Sequence, residues 1–416
     1  MSLVAFGFIA SALRAGYYWI MNSNDSRYYN SYDAMSVNNA VAYWHNGYDG
    51  SSSTLTKLDD KGVTLWQRQI SVSNNAGTIA KDASGNYLMS SNGYIVKMDP
   101  NANFVGAIYT ASYGMLKSFI STNASGDIFF TGRISDNVVG FGKYNSSLGQ
   151  YWQKGYDPYA SCYAVFAAGD SAGNLYGMYK IVDGSNYNGF SVMKYDTSGT
   201  ITWRKQFYPG NSSNQFRIST KKTIAVDASG NSYVIFGYYP GAAGYTVVMK
   251  LDASGNIAWQ KRFSIHSAGD YACITLGEDG YIYSYCMDVN ANTSVLTKWD
   301  SSGNVVWTRS LKGGTSNYPI FQVNLQVDAN GAIILSGQQF NSVMMLAKLP
   351  ADGTKTGSYV SNIGTYTYSV DSTTAYSTSS VASTSAYGAP YNNYGIGSIS
   401  PTVAATTVAM TRIDIP

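Results

Sequence analysis

Apolar runs of about five to seven residues alternate with short polar turns along most of the chain. Between residues 272 and 311, four of these runs follow one another: Ala272–Leu276, Tyr281–Cys286, Ser294–Trp299 and Val305–Leu311. They are rich in β-branched and aromatic residues and have the length of ordinary strands, so they predict β-structure. Apolar residues do not recur at helical spacing over the length that a helix needs. The pattern therefore predicts an all-β protein.

A motif of the form K-x-D-x-x-G-x-x-x-W recurs along the chain. Its lysines are Lys57, Lys97, Lys143, Lys194, Lys250, Lys298 and Lys348. The interval is 40 residues from Lys57 to Lys97 and 56 residues from Lys194 to Lys250. Nine residues after the lysine stand Trp66, Trp152, Trp203, Trp259 and Trp307, with Gly106 and Gly357 in the second and seventh repeats. A constant offset inside repeats of variable length indicates a rigid hairpin joined by variable loops.

A second motif lies between these hairpins and has the form D-x-S-G-N, as in residues 82–86 and 227–231. An Asp side chain can cap such a turn, and Gly takes the left-handed conformation that closes it. Each repeat therefore predicts four short strands. Four-stranded units repeating at this period are typical of a β-propeller.

The two ends of the chain look complementary. Trp19 lies in a run that resembles the Trp strand but has no complete lysine motif before it, and residues 408–414 resemble the lysine strand with no Trp strand after it. We expect terminal strands to complete one blade and close the ring. Counting Trp-type strands, at residues 19, 66, 106, 152, 203, 259, 307 and 357, predicts eight blades. Seven blades with a separate terminal layer is the alternative.

The repeats predict a single β-propeller domain over residues 1–416, with clear repeats over residues 17–357. Residues 358–416 differ from the rest, because the stretch 369–400 is rich in Ser, Thr, Tyr, Ala and Gly and carries one charge, Asp371. We expect these residues to form a divergent last blade or a C-terminal extension, completed by residues 1–24.

The combination of the two motifs resembles the SBBP-type β-propeller repeats of bacterial and viral proteins, over about residues 33–357. The resemblance implies a propeller with a scaffold, adhesion or binding role, and it carries over no catalytic residues. Repeats two and seven depart from it because they lack the Trp. The composition, with low charge and many Tyr, Gly, Ser and Asn, is also similar to that of phage virion proteins, especially tail fibres and tail-tip components.

The charge content limits the possible partners. Lys plus Arg is 27 and Asp plus Glu is 24, so charged residues make up 12% of the chain, against about 25% in a typical globular protein. A net charge of +3 is too small to imply a nucleic-acid partner. No apolar run reaches the roughly 18 residues of a membrane span. Residues 1–13 lack the positive region of a secretory signal, which predicts a cytosolic protein or one that leaves the cell by another route.

Candidate catalytic and metal-binding groups are sparse. The two histidines, His45 and His266, are expected at a strand end and in a loop between blades, as packing or surface residues rather than bases. The Asp turns supply one acid each, which does not fit a calcium loop, and no zinc-ligand spacing exists. Cys162, Cys273 and Cys286 indicate buried small residues rather than a disulfide framework. We expect no enzyme activity, no cofactor and no metal.

The repeated lysines are expected to be structural, because a catalytic site is unique whereas this Lys recurs in every unit. We expect each to bond a turn Asp and to pack its stem over the Trp. Tyrosines outside the strands are the remaining candidates for binding, since Tyr offers rigid contact area with a polar tip. Those expected on one binding face are Tyr156, Tyr159, Tyr187, Tyr238, Tyr239 and Tyr318. Half-buried loop residues are the alternative for this set.

These observations favour a non-enzymatic structural or binding protein of a phage virion, associated with the tail as a fibre, tail-tip or receptor-binding component. Its expected partners are other virion proteins in an oligomeric assembly, with a cell-surface glycan or receptor as a further partner. Two alternatives remain open: a secreted or surface lectin-like bacterial adhesion module, and an enzyme with its site at the propeller mouth. The expected location is the virion, or the cell exterior for the adhesion module.

Overall fold

The computed structural model of the chain describes most of its strands and turns. The described residues are 8–11, 19–23, 32–37, 40–46, 53–70, 76–91, 94–109, 119–135, 138–156, 161–182, 188–208, 214–219, 221–241, 244–263, 271–288, 293–313, 321–328, 331–339, 343–361, 364–371, 376–378, 383–385 and 410–413.

The described residues contain no α-helix and form 35 strands. The first eighteen are β1 (Phe8–Ser11), β2 (Trp19–Ser23), β3 (Tyr32–Val37), β4 (Ala40–Asn46), β5 (Ser53–Leu58), β6 (Thr64–Ile70), β7 (Ala76–Lys81), β8 (Tyr87–Ser91), β9 (Tyr94–Met98), β10 (Phe104–Tyr109), β11 (Phe119–Thr122), β12 (Ile128–Ser135), β13 (Val138–Tyr144), β14 (Gln150–Tyr156), β15 (Ser161–Gly169), β16 (Leu175–Val182), β17 (Asn188–Tyr195) and β18 (Ile201–Tyr208). The others are β19 (Asn214–Arg217), β20 (Ile224–Val226), β21 (Ser232–Pro240), β22 (Tyr245–Leu251), β23 (Ile257–Phe263), β24 (Cys273–Leu276), β25 (Ile282–Asp288), β26 (Thr293–Trp299), β27 (Val305–Gly313), β28 (Phe321–Val327), β29 (Ala332–Gln339), β30 (Val343–Pro350), β31 (Gly357–Ser361), β32 (Gly364–Val370), β33 (Tyr376–Thr378), β34 (Ser383–Ser385) and β35 (Met410–Ile413).

These strands form seven antiparallel sheets, which are the blades of a seven-bladed β-propeller. Blade 1 is built on β3–β6, blade 2 on β7–β10, blade 3 on β11–β14 and blade 4 on β15–β18. Blade 5 is built on β19–β23, with its first strand split into β19 and β20, and blade 6 on β24–β27. Blade 7 combines β28–β30 with β2. The predicted all-β propeller of four-stranded blades is confirmed.

The preferred number of eight blades was one too many, and the alternative of seven is the observed number. In blade 7 the N-terminal strand β2 pairs with β30, which places Trp19 opposite Lys348 in the register that Lys57 and Trp66 have in blade 1. Trp19 is therefore the Trp of the seventh lysine motif. Gly357 begins β31, which pairs with β32 at the outer side of blade 6. The predicted count of eight assigned residues 19 and 357 to two different blades. The seventh lysine motif has a single Trp position, which Trp19 occupies, so this count included blade 7 twice.

Strands from the C-terminal region add to the outer edges of blades built from other segments. β32 pairs with β27 in blade 6, β33 with β23 in blade 5, β34 with β18 in blade 4 and β35 with β6 in blade 1. Each covers a fourth strand whose N–H and C=O groups are otherwise unpaired on that side. The Ser-, Thr- and Tyr-rich segment thus supplies fifth strands.

The turns explain why each repeat folds locally. In the turn after Asp196, the backbone N–H of Gly199 donates to the Asp196 carbonyl, and the N–H of Thr200 donates to Asp196 Oδ1 at 2.9 Å. Gly199 has φ +81°, a left-handed value that favours glycine. Equivalent bonds occur in the turns after Asp82, Asp227 and Asp252. Two such turns lie at the same end of each complete meander, here called the turn end; the opposite end is the loop end.

The chain divides into two compact units. The first contains residues 1–76, 275–374 and 408–416, with blades 1 and 7 and most of blade 6. The second contains residues 77–274 and 375–407, with blades 2 to 5. A large apolar cluster of the second unit joins blades 4 and 5 and includes Phe190, Phe207, Phe216 and Phe236, all fully buried. Among the described residues, no helix is long and apolar enough to cross a membrane.

Candidate functional site

The repeated lysines lie on the third strand of their blades, directly opposite the Trp position of the fourth strand. This register holds for Lys143 and Trp152, and equally in blades 1, 4, 5 and 6. In blade 2 Lys97 stands opposite Gly106. The constant offset of nine residues therefore results from one hairpin, in which the lysine and the Trp face each other on adjacent strands. A register shift follows next to the lysine.

Three of these lysines form ion pairs with turn carboxylates at the turn end. The Nζ atom of Lys97 lies 2.7 Å from Asp82 Oδ2, that of Lys143 2.9 Å from Asp127 Oδ2, and that of Lys298 2.9 Å from Asp279 Oδ2. Each pair joins the third strand to the turn between the first two strands. Each Lys also donates to a carbonyl of the following blade; for Lys143 this is Gly173 O, at 3.0 Å. Each of these lysines therefore connects its own blade to the following one.

Several of the repeated ammonium groups lie near tyrosine rings. Lys194 Nζ is 5.1 Å from the centroid of Tyr176, and Lys250 Nζ is 5.4 Å from that of Tyr233. Lys57 Nζ lies 6.0 Å from the centroid of its own Trp66. The hydroxyl of Tyr176 donates to the turn carboxylate of Asp170, and that of Tyr233 donates to the turn carboxylate of Asp227.

The turn carboxylates are held ionised by these contacts. Burial by itself raises the pKa of Asp82, but hydrogen bonds from Asn86 and Lys97 and the Lys97 charge outweigh it and lower that pKa below its usual value. The pKa of Asp279 is lowered in the same way, with Tyr283 and Lys298 as donors against the effect of burial. These acids are engaged in structural bonds and are not poised to exchange protons near neutrality.

The Trp side chains also act between blades. The indole N–H of Trp152 donates to Thr197 O, that of Trp203 to Ala253 O, and that of Trp307 to Ala351 O. Each acceptor carbonyl belongs to the next blade. It lies in the turn between the third and fourth strands of that blade, at the second residue of the turn. Trp152 is buried, and Trp203 and Trp307 are half-buried.

The six candidate tyrosines have different positions. Tyr159, Tyr187 and Tyr318 lie outside the described residues, and Tyr156 is described only as the last residue of β14. Tyr238 and Tyr239 lie near the loop end of β21 in blade 5, and both are half-buried. Because adjacent strand residues point to opposite faces, these two side chains lie on different faces of the sheet.

Tyr238 belongs to a row of side chains across one face of blade 5. Its ring centroid lies 5.7 Å from Phe216 on β19 and 6.4 Å from Tyr245 on β22, and the Tyr238 and Tyr245 rings are inclined by 28°. The guanidinium carbon of Arg262 on β23 lies 4.4 Å from the Tyr245 centroid. The side-chain amide Nδ2 of Asn214 donates to the Tyr238 hydroxyl at 3.0 Å. We call Tyr238, Tyr245 and Arg262 the Tyr238 row.

Lys180 of blade 4 faces the same interface as this row. It stands opposite Phe190 in the sheet, so the two side chains share a face. The Phe190 ring is 4.8 Å from Phe236 and 5.7 Å from Phe216 of blade 5. The loop end of the blade 4–blade 5 interface is therefore lined by Lys180 from one side and by the Tyr238 row from the other. We call it the blade 4–5 groove.

The cations of this groove have no hydrogen-bond or ion-pair partner among the described residues. Arg262 makes only its contact with Tyr245, and no hydrogen bond or ion pair of Lys180 occurs there. By contrast, Arg309 of blade 6 stacks on Trp307 and also donates to the carbonyls of Gly353 and Thr308. The nine strands β15–β23 contain no Asp or Glu. The described part of the groove therefore offers hydrogen-bond donors and positive charge, and its strands carry no carboxylate.

A second stack lies on the other face of blade 5. The guanidinium carbon of Arg217 is 4.6 Å from the centroid of Tyr239. Arg217 belongs to the longest repeat, with 56 residues between Lys194 and Lys250, whose first strand is split in two.

Sequence reasoning found Tyr238 and Tyr239 but missed Lys180, Tyr245 and Arg262. A usable signal existed: Arg262 stands three residues after Trp259, where the other blades carry Gln69, Tyr109, Gly155, Gln206 and Ser310. A charge that appears at a repeat position only once has no shared structural role. The placement of Lys180 and Arg262 at the same interface came from packing between blades 4 and 5.

The remaining candidate groups form no reactive cluster in the described part of the chain. His45 is on β4 and His266 lies outside the described residues. Cys273 and Cys286 are buried and form no disulfide bond among the described residues, and Cys162 is on β15. No group of three His, Cys, Asp or Glu residues that could hold a metal ion occurs among the described residues.

Comparisons with known proteins found distant solved structures only. No protein-family model and no curated protein matches the chain. Among solved structures, a protein of unknown function from Bacteroides caccae is 14% identical, with a TM-score of 0.40 over 64% of this chain and 89% of that one. The polysaccharide lyase Uly1 is 10% identical, with a TM-score of 0.48 over 77% and 90%. The calcium-binding protein regucalcin from Agrobacterium tumefaciens is 11% identical, with a TM-score of 0.35 over 80% and 92%.

Proposed function

We propose that the protein is a non-enzymatic binding and structural β-propeller of the SBBP-like type, carried on a phage virion as a tail-associated component. In this proposal the loop end of blades 4 and 5 contacts the host surface, and the turn end keeps the blades together. Its partners are other virion proteins and a cell-surface glycan. The low charge and the Tyr-, Gly- and Ser-rich composition support the virion assignment.

One observation supports the binding role above the others. Three of the repeated lysines are engaged in structural ion pairs, as in the pair between Lys97 and Asp82. By contrast, Arg262 is a charge that the other blades lack at its repeat position, and neither Arg262 nor Lys180 has a hydrogen bond or ion pair among the described residues. Half-exposed tyrosines beside a free guanidinium are typical of recognition surfaces.

Purified particles from a lysate of the source culture test the virion assignment. Mass spectrometry should find the protein at a fixed stoichiometry, and the copy number would separate a tail component from a capsid decoration. Absence from particles, with the protein soluble or on cells, would overturn the virion role and favour the alternative of a lectin-like adhesin.

Adsorption of the purified, fluorescently labelled protein to cells tests the binding role. We expect saturable adsorption that Tyr238→Ala reduces at least about tenfold, while Lys154→Ala, an exposed change on blade 3, leaves it unchanged. Thermal unfolding of both variants would show that they fold. Equal adsorption of wild type and Tyr238→Ala would remove the groove from the proposal.

A further inference from the structure

We infer that the blade 4–5 groove binds an acidic saccharide, with Arg262 and Lys180 engaging the carboxylate and the tyrosines engaging the sugar. This inference names the ligand class of the groove and rests on the proposed binding function. Four features of the groove support it.

The first feature is the state of the Arg262 guanidinium. Its plane is backed by the Tyr245 ring at 4.4 Å, which supports the apolar face of the group and leaves its N–H edge available. A guanidinium has five N–H donors and matches a carboxylate through two parallel hydrogen bonds. No carboxylate or carbonyl of the described residues takes this edge.

The second feature is the surplus of donors beside it. The Tyr238 hydroxyl accepts from Asn214 Nδ2 at 3.0 Å, so its own proton remains free to donate. Among the described residues, the Tyr245 hydroxyl has no hydrogen-bond partner, and Tyr245 is half-exposed. A ligand rich in acceptor oxygens satisfies such a surface, and a saccharide carries hydroxyl and ring oxygens next to its acidic group.

The third feature is the apolar area between the polar tips. The rings of Tyr238 and Tyr245 are inclined by only 28° and lie side by side across two strands. The C–H groups of a pyranose require contact of this kind, which a bare cluster of cations does not offer. The combination separates a saccharide from a free inorganic anion.

The fourth feature is the second cation. Lys180 enters the groove from blade 4, on the face that carries Phe190 and Met178. The equivalent positions of blades 5 and 6 hold Gly237 and Met287, and that of blade 3 holds Arg133, so a cation at this position occurs in some blades and is not a constant part of the repeat. Two cations without carboxylates on nearby strands favour an anionic ligand over a neutral one.

Binding of full-length protein to matched sugars by calorimetry tests the inference. The acidic probes are oligogalacturonate, oligosialic acid and a sulfated dextran; the neutral ones are the methyl-esterified oligogalacturonate and unmodified dextran. We expect a carboxylate probe to bind at least about tenfold more tightly than its neutral counterpart, and added salt to weaken it. Preference for the sulfated dextran alone, or equal affinity for esterified and free acid, would overturn the inference.

Variants localise the site. Arg262→Gln should weaken the acidic probe at least about tenfold and leave the neutral probe unchanged, and Lys180→Met should act in the same direction. Lys154→Ala removes an exposed charge on blade 3 and serves as the control. If Arg217→Gln abolishes binding while Arg262→Gln does not, the ligand uses the other face of blade 5 and the inference is wrong.

The two failures are distinguishable. A protein that adsorbs to host cells through Tyr238 but binds none of the acidic probes keeps its binding function and loses the acidic ligand. A protein that neither adsorbs to cells nor binds any probe loses both.

Discussion

Leu148 fills space that the absence of a side chain on Gly106 leaves open: its Cδ1 atom lies 2.9 Å from where a Cβ atom on residue 106 would stand. In two other pairs of neighbouring blades the Trp is present and a glycine faces it. A Cβ atom on Gly199 would lie 2.7 Å from the Trp152 ring, and one on Gly353 would lie 3.0 Å from Trp307. Trp on one blade therefore requires Gly on the next, and in blade 2, where the Trp is missing, the next blade carries a leucine with φ +67°.

This pair predicts coupled substitutions. Gly106→Trp alone should lower the free energy of unfolding by about 1–3 kcal/mol, because the ring would overlap Leu148. Combining it with Leu148→Gly should recover about 1 kcal/mol or more, since the consensus pair is rebuilt. Urea unfolding of wild type, both single variants and the double variant measures the coupling. Strict additivity would show that the two positions are independent.

Gly199→Ala should be more harmful than an equivalent change at Gly280. Both residues have left-handed φ values, +81° and +78°, so both substitutions pay about 1–2 kcal/mol of backbone strain. Only at residue 199 would the new Cβ meet a neighbour, the Trp152 ring, whereas nothing lies within 4 Å of a Cβ on residue 280. Urea unfolding should separate the variants by about 1–3 kcal/mol; equal losses would argue against the contact.

Asp82→Ala should cost far more stability than Asp99→Ala. The two carboxylates accept the same set of turn hydrogen bonds, from Asn86 and Ser84 in one case and from Asn103 and Asn101 in the other. Asp82 additionally pairs with the buried Lys97. Leaving that buried lysine without its carboxylate should cost about 3–5 kcal/mol, against about 1 kcal/mol for the turn bonds alone. Similar losses in chemical denaturation would mean that the ion pair is not stabilising.

The same carboxylates predict acid sensitivity. The pKa of Asp82 and that of Asp279 are lower in the folded protein than their ordinary values. Their contribution is therefore fully present above the ordinary Asp pKa of about 3.9 and is lost as the pH falls through the folded values. Urea midpoints between pH 7 and pH 2.5 should fall steeply at the acid end. In Asp279→Asn the decline should be shallower; an unchanged slope would contradict the assignment.

Ending the chain after Asp371 should destabilise the protein and promote aggregation. The truncation removes β33, β34 and β35 and exposes the outer edges of β23, β18 and β6. Uncovered edge strands lose ladder hydrogen bonds and become templates for pairing with other chains. Thermal unfolding and light scattering against the full chain measure both effects. A truncated protein with an unchanged melting temperature and no association would show that these strands contribute little.

Much of the local structure was predictable, because its causes lie within about ten residues. The turn after Asp196 is made by the Asp carboxylate and the left-handed Gly199, and both are visible in the sequence. The nine-residue offset from Lys143 to Trp152 corresponds to one hairpin. The number of blades was less accessible, since Trp19 and Lys348 are far apart in the chain and meet only through strand pairing.

By itself, the sequence determined the all-β class, the four-stranded repeat and the chemistry of the turns, because short-range hydrogen bonds and the alternation of apolar residues suffice for them. Tertiary structure decided which strand completes blade 7, where the Ser- and Thr-rich segment pairs, and that Lys180 faces the same groove as Arg262. Those outcomes depend on which strand edges remain open and which faces pack together. Such conditions exist only once the sheets have formed.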